Sequence, residues 1–114
     1  MKVGLSAVVL GVFFLSHNSA FAAACSSTSC SGQISMLDVE ANGDVYVGLV
    51  GGLAGLTGCT PNQGEQQFLT LPAASANLKL IYATLLAAQM AGRSVSLALA
   101  ANSSGCIIRY VTSP

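Results

Sequence analysis

One segment determines how the chain can be arranged: residues 73–99, with the sequence AASANLKLIYATLLAAQMAGRSVSLAL. Its apolar residues recur at helical spacing as far as residue 91, Ser75 is placed to cap the start, and Gly92 stands where a C-terminal glycine is expected. Residues 95–99 then alternate between large apolar and small side chains, which is typical of a strand. The segment therefore predicts one helix over residues 73–91, followed directly by a strand.

Other alternating segments, rich in β-branched and apolar residues, lie on both sides of this helix. The predicted strands cover residues 33–39, 44–50, 68–71, 95–99 and 106–112. Asn42 and Gly43 predict a hairpin turn between the first two strands, and Pro72 ends the third because it cannot donate to a ladder. The order β-β-β-α-β-β, mainly β with one helix, predicts an OB-fold-like five-stranded partly open barrel whose end is plugged by the helix.

The N-terminus carries the features of a secretory signal peptide. Lys2 precedes an uncharged, largely apolar run over residues 3–15, and Ala20 and Ala22 supply the small residues of a cleavage site. The apolar run is too short for a typical transmembrane anchor, which needs about 20 apolar residues. We therefore expect residues 1–22 to be cleaved during export.

Export leaves a single small domain over residues 23–114, in the periplasm or outside the cell. No membrane span is expected after cleavage. A lipid anchor at Cys25 is an alternative, since small residues precede this cysteine, but Ala22 stands where lipidation sites usually have leucine.

All four cysteines remain after cleavage and reach an oxidising compartment. An even count there predicts two disulfides, although four cysteines permit three pairings. We favour Cys25–Cys30 as a local link and Cys59–Cys106 as the long bridge. A zinc site is disfavoured because Cys59 and Cys106 lie far from each other in sequence and the only histidine, His17, leaves with the signal peptide. We predict no metal and no cofactor.

Composition and charge exclude several classes of function. Lys and Arg total 4, as do Asp and Glu, so no basic surface is available for nucleic acid. Because 53% of the residues are hydrophobic, the chain is not intrinsically disordered. Without histidine, the abundant serines lack the usual base that activates a nucleophile. The glycine-rich region over residues 51–64 lacks the Lys-Ser/Thr of a phosphate-binding loop and predicts a long loop, still a candidate for ligand contact. We predict that the protein is not an enzyme and has no catalytic residues.

Four side chains are the candidate ligand-binding residues. Asp38 and Glu40 are two apart on a strand and therefore share a face, where carboxylates can act as acid and base, bind a hard cation, or simply be solvated. Tyr46 and Tyr110 lie on strands and face away from apolar neighbours, so either could stack on a sugar.

Residues 78–99, LKLIYATLLAAQMAGRSVSLAL, resemble the helix-then-strand segment of exported bacterial OB domains of the B-subunit type, found in the subtilase-cytotoxin and pertussis-like AB5 toxins. The resemblance implies a non-enzymatic binding or assembly module, with a glycan or a protein as its partner and a homo-oligomer as its assembly. The alternative is a monomeric periplasmic or envelope protein that binds a small ligand or another exported protein.

Overall fold

The computed structural model describes residues 23–62 and 67–113, and the predicted signal peptide lies outside these ranges. Within these two ranges, six strands and one helix form in this order: β1 (Ala24–Ser26), β2 (Ser29–Val39), β3 (Val45–Leu49), β4 (Leu69–Leu71), α1 (Leu78–Ala91), β5 (Ser94–Leu99) and β6 (Ile108–Thr112). The prediction of a mainly β domain with one helix is confirmed, with six strands instead of five. No helix within the described ranges has the length and apolar character needed to cross a membrane.

The strands form one antiparallel sheet in the order β4-β3-β2-β5-β6, with β1 beside the start of β2. The long strand β2 is shared: its first half pairs with β5, and its second half pairs with β3, with a register shift between Ile34 and Met36. The sheet is not closed into a barrel. An isolated parallel bridge joins Thr70, on the edge strand β4, to Ile107, just before β6.

The additional strand β1 forms a short hairpin with the start of β2. Cys25 and Cys30 are directly opposite each other in this hairpin and form a disulfide. Residues 25–31, CSSTSCS, contain no large apolar side chain, so no alternation in the sequence signals a strand there. The disulfide and the pairing of Cys30 with Leu97 on β5 hold this segment extended.

The core lies between the inner face of the sheet and α1, which packs against β2, β5 and β6. The helix turns Ile81, Leu85 and Ala88 inward. The largest side chains buried there almost completely are Val47, Leu69, Leu71, Leu85, Val95 and Leu97. These residues come from β3, β4, α1 and β5, so burial of apolar surface joins all the layers of the domain.

The helix begins later than predicted, at Leu78, and Ser75 as its cap is wrong. Asn77 occupies the cap position without a side-chain hydrogen bond to the backbone. The Asp44 carboxylate accepts a 2.7 Å hydrogen bond from the Ala73 N–H. This hydrogen bond holds the residues that precede the helix in a turn. The predicted end is confirmed, because Gly92 adopts the left-handed conformation with φ of 68°.

Residues 53–60, in the connection between β3 and β4, are held against the rest of the domain. Cys59 and Cys106 form the second disulfide, so both predicted pairings are present. The backbone of Thr60 exchanges hydrogen bonds with the turn before β6, at Ser103 and Gly105. Leu53 from the same connection is buried in the core.

Candidate ligand-binding face

The outer face of β3 carries the first predicted ligand-binding residue. Val45, Val47 and Leu49 are buried against the core, so Tyr46 and Gly48 point to the opposite side of the strand. Tyr46 lies directly opposite Asp38 on β2. Because opposite residues in an antiparallel ladder project to the same side, the Asp38 carboxylate and the Tyr46 ring are neighbours.

Tyr46 stacks on Phe68, which comes just before β4. Their ring centroids are 5.9 Å apart and the planes differ by 7°, an offset parallel pair. Phe68 is positioned by two 3.0 Å backbone hydrogen bonds that it exchanges with Asn62. The two aromatic rings therefore form a fixed, half-buried platform. We call the surface formed by Asp38, Glu40, Tyr46, Gly48 and Phe68 the Tyr46 face.

The Asp38 and Glu40 carboxyl groups interact at one end of this face. A hydrogen bond to the Asp38 carboxylate raises the pKa of Glu40, and the negative charge of Asp38 raises it further, with smaller contributions from desolvation and from Asp44. Glu40 therefore takes up a proton more readily than an isolated glutamate, and the pair can both donate and accept hydrogen bonds.

Asp44, the third acidic residue of the hairpin, has a structural role. One of its carboxylate oxygens accepts the Ala73 N–H at 2.7 Å, and the other accepts the side-chain amide of Asn42 at 3.2 Å. Its own N–H donates to the Asn42 side-chain oxygen at 2.9 Å. These bonds shape the β2–β3 turn and connect it to the segment that leads into α1.

A shallow depression of about 440 Å³ extends the Tyr46 face toward the glycine-rich connection. Its lining includes Ser35, Gly48, Gly51, Gly52 and Gln67, next to Phe68 in sequence. A Cβ atom on Gly48 would lie 3.1 Å from the Ser35 hydroxyl oxygen, which is a tight contact. The depression is within the usual size range of small-molecule sites.

Tyr110, the fourth candidate, lies elsewhere. It is on β6, its side chain is 55% exposed, and its neighbours around a separate depression are Leu80 and Thr84 of α1. The structure thus brings Asp38, Glu40 and Tyr46 together and places Tyr110 beside the helix.

Phe68 also belongs to this site, although it is not among the residues predicted from the sequence. In the sequence FLTL, Phe68 alternates with the core residues Leu69 and Leu71, which indicates that it faces outward. The alternation indicates only that Phe68 faces outward. Its contact with Tyr46 depends on the register between β3 and β4, which pairs Tyr46 with Thr70 and so brings Phe68 within stacking distance.

Among residues 23–62 and 67–113, no three His, Cys, Asp or Glu side chains converge to hold a metal ion. Comparisons with protein-family models, with curated proteins and with solved structures find no match to this chain. The resemblance to AB5 toxin B subunits therefore remains an expectation from the sequence, and the candidate site rests on its own geometry.

Proposed function

We propose that this protein is an exported, non-enzymatic binding module of the kind that toxin B subunits represent, and that it binds glycans through the Tyr46 face. The observation that carries the proposal is the stacked Tyr46–Phe68 pair with the Asp38 carboxylate beside it. An aromatic platform fits the C–H face of a pyranose ring, and a neighbouring carboxylate accepts hydrogen bonds from its hydroxyl groups.

The arrangement of the sheet supports an OB-type assignment. Strands β2, β3 and β4 form a meander, and α1 leads to β5, which returns to the other half of β2. The parallel bridge between Thr70 and Ile107 brings the two edges of the sheet together. OB-folds bind oligosaccharides and oligonucleotides on the face of their second and third strands. In this protein β3 and β4 correspond to those two strands. Tyr46 lies on β3, and Phe68 directly precedes β4.

Charge favours neutral sugars over acidic ligands. Asp38 and Glu40 lie at one end of the face, and Asp44 is close enough to raise the pKa of Glu40. These acidic groups repel the carboxylate of a sialic acid and the phosphates of a nucleic acid. We therefore expect neutral oligosaccharides, or sugars that carry an amino group, to bind in preference to sialylated ones.

The full chain, expressed for export so that both disulfides form, is applied to an array of neutral, amino and sialylated oligosaccharides. A neutral or amino sugar that binds is then titrated by NMR. Tyr46→Leu removes the aromatic ring on which the sugar would stack and is expected to lower the affinity about tenfold, which corresponds to about 1.4 kcal/mol. Asp38→Asn, which keeps the shape but removes the charge, tests the hydrogen-bonding role of the carboxylate.

Tyr110→Leu is the matched control, because it removes an exposed tyrosine that lies beside α1 and is not part of the Tyr46 face. It is expected to leave sugar affinity unchanged. Loss of binding in Tyr110→Leu with none in Tyr46→Leu would move the site to the depression beside α1. Absence of binding to every glycan class would reject the proposal.

A further inference from the structure

The outer surface of α1 is apolar although it faces solvent. Leu80 is 70% exposed and Met90 is 80% exposed, and Ala83 and Ala87 between them are also exposed. We call these four residues the α1 stripe. The core covers only the opposite side of the helix, where Leu85 is buried. A helix that is apolar on both sides is usually covered on both, so the α1 stripe is suited to contact with a second apolar phase.

Cationic side chains border the α1 stripe. Lys79 is exposed next to its first residue. Arg93 lies beyond its last residue and lines a groove of about 590 Å³ along the outer side of the helix, together with Leu80 and Ala87. Arg109, on β6, lines an adjoining depression that also includes Leu80. These are the three cationic residues of the described part of the chain, so every cation there lies around the stripe.

The acidic side chains of the described residues lie in another part of the domain. Asp38, Glu40 and Asp44 all belong to the β2–β3 hairpin. Among the described residues, no Asp or Glu lines either depression beside α1. The Asp44 carboxylate is already hydrogen-bonded to the Asn42 side chain and the Ala73 N–H. Charge is therefore segregated, with positive side chains around an apolar surface and negative ones at the hairpin.

We infer that the α1 stripe is a docking surface for a membrane that contains anionic phospholipids, and that the helix lies along the plane of that membrane. Leu80 and Met90 enter the boundary between headgroups and acyl chains, and the three cations contact the lipid phosphates. An apolar surface bordered by Lys and Arg is what an interfacial helix presents to a bilayer. The long apolar stems of Lys and Arg allow their charges to stay at the level of the headgroups.

Charge and area disfavour other occupants of this surface. In an antiparallel second copy, Lys79 would meet Arg93 with like charge. A nucleic acid offers phosphates but no apolar phase for Leu80 and Met90. The helix has 14 residues and is about 21 Å long, so a protein confined to it buries less than the roughly 800 Å² per partner of a standard interface. A bilayer supplies the negative phosphates and the apolar interior together.

The Tyr46 face remains open when the helix is docked. Its Tyr46 side chain points away from the core, whereas α1 packs on the core side of the sheet. Membrane docking and ligand binding therefore use different surfaces, and the inference does not depend on what the Tyr46 face binds.

Co-sedimentation with lipid vesicles tests the inference on the full chain, expressed for export. We expect binding to vesicles that contain phosphatidylglycerol, much weaker binding to phosphatidylcholine alone, and a decrease at high salt. Ala87→Glu places a negative charge in the stripe and is expected to lower the partition coefficient at least about tenfold. Arg93→Gln removes one cation and is expected to lower it about fivefold. Ala101→Glu makes the same change as Ala87→Glu at an exposed turn outside the helix and is expected to have little effect.

A tryptophan in the stripe tests which surface meets the lipid. The sequence contains no tryptophan, so Met90→Trp gives a single fluorescent reporter. Its emission is expected to move to shorter wavelength when phosphatidylglycerol vesicles are added, whereas that of Ala101→Trp is expected to stay unchanged. Circular dichroism verifies that every variant keeps the native fold.

Four results would each overturn the inference. They are absence of wild-type binding to phosphatidylglycerol vesicles at low salt, equal binding to both kinds of vesicle, equal binding by the two glutamate variants, and an emission shift at residue 101 without one at residue 90. Sugar binding is measured separately, so failure here is distinguishable from failure of the proposed function.

Discussion

The two disulfides allow a quantitative test of what stabilises this small domain. Each one joins an almost fully buried sulfur, Cys30 or Cys106, to a partly buried one, Cys25 or Cys59. Replacing either pair by alanine therefore removes similar side-chain contacts and leaves similar cavities. The main difference between the two pairs is the length of chain that each closes.

That difference predicts unequal losses of stability. The sequence separation is 5 residues for Cys25–Cys30 and 47 for Cys59–Cys106. Loop-closure entropy of the unfolded chain gives about 2 kcal/mol for the short loop and about 4 kcal/mol for the long one. The double substitution of Cys59 and Cys106 by alanine should therefore lower the free energy of unfolding by about 2 kcal/mol more than that of Cys25 and Cys30.

Guanidinium-induced unfolding followed by far-ultraviolet circular dichroism measures both losses, with extrapolation to zero denaturant. The sequence contains no tryptophan, so circular dichroism is the better probe. Equal losses, or a larger loss for the short loop, would refute the loop-closure reasoning and show that local strand pairing at Cys25 dominates. The variant without Cys59 and Cys106 could fail to fold. In that case, the midpoint of reduction of each disulfide in the wild-type protein ranks the stabilisation that the two disulfides provide.

Three further predictions concern single positions. Gly55→Ala should destabilise the fold clearly more than Gly52→Ala, because both glycines have positive φ but only at Gly55 would a Cβ collide with the β1 backbone; chemical unfolding of both variants measures the difference. Asp38→Asn should lower the pKa of Glu40 in a carboxyl NMR titration. In the wild type, the raised pKa means that Glu40 contributes most to stability below its ordinary pKa and loses that contribution as pH rises through the folded value. Leu85→Ala should lower the free energy of unfolding by about 2–5 kcal/mol in the same assay, since the Leu85 side chain is completely buried between the helix and the sheet. A loss below about 1 kcal/mol would contradict the described core.

Most of the secondary structure could be predicted because its signals are local. The helix has apolar residues at helical spacing and ends at Gly92, and both features depend only on neighbouring residues. The β2–β3 hairpin follows from the turn signal at Asn42 and Gly43 between alternating segments. The start of the helix was predicted too early, because the Asp44 carboxylate that holds Ala73 in a turn comes from a distant part of the chain.

The candidate site was predicted only in part, for a related reason. The alternation of side chains within each strand predicted that Asp38 and Glu40 share a face and that Tyr46 points outward. It did not predict which strands are neighbours in the sheet. The register of β2, β3 and β4 decided that Tyr46 meets Asp38 on one side and stacks on Phe68 on the other. The position of Tyr110 beside α1 depends equally on how β6 joins the sheet.

Composition and local pattern were thus sufficient for the helix, for five of the six strands and for their order, since each depends on spacing along the chain. They favoured the cysteine pairing that the structure has, but they did not exclude the other two pairings. Strand register, the sharing of β2 between two partners and the open edges of the sheet were decided in three dimensions. So was the solvent exposure of Leu80 and Met90, because an apolar residue on a helix is buried or exposed according to which face the core already occupies. The physical reason is that backbone pairing and apolar burial join residues far apart in sequence, and no local signal encodes which of them meet.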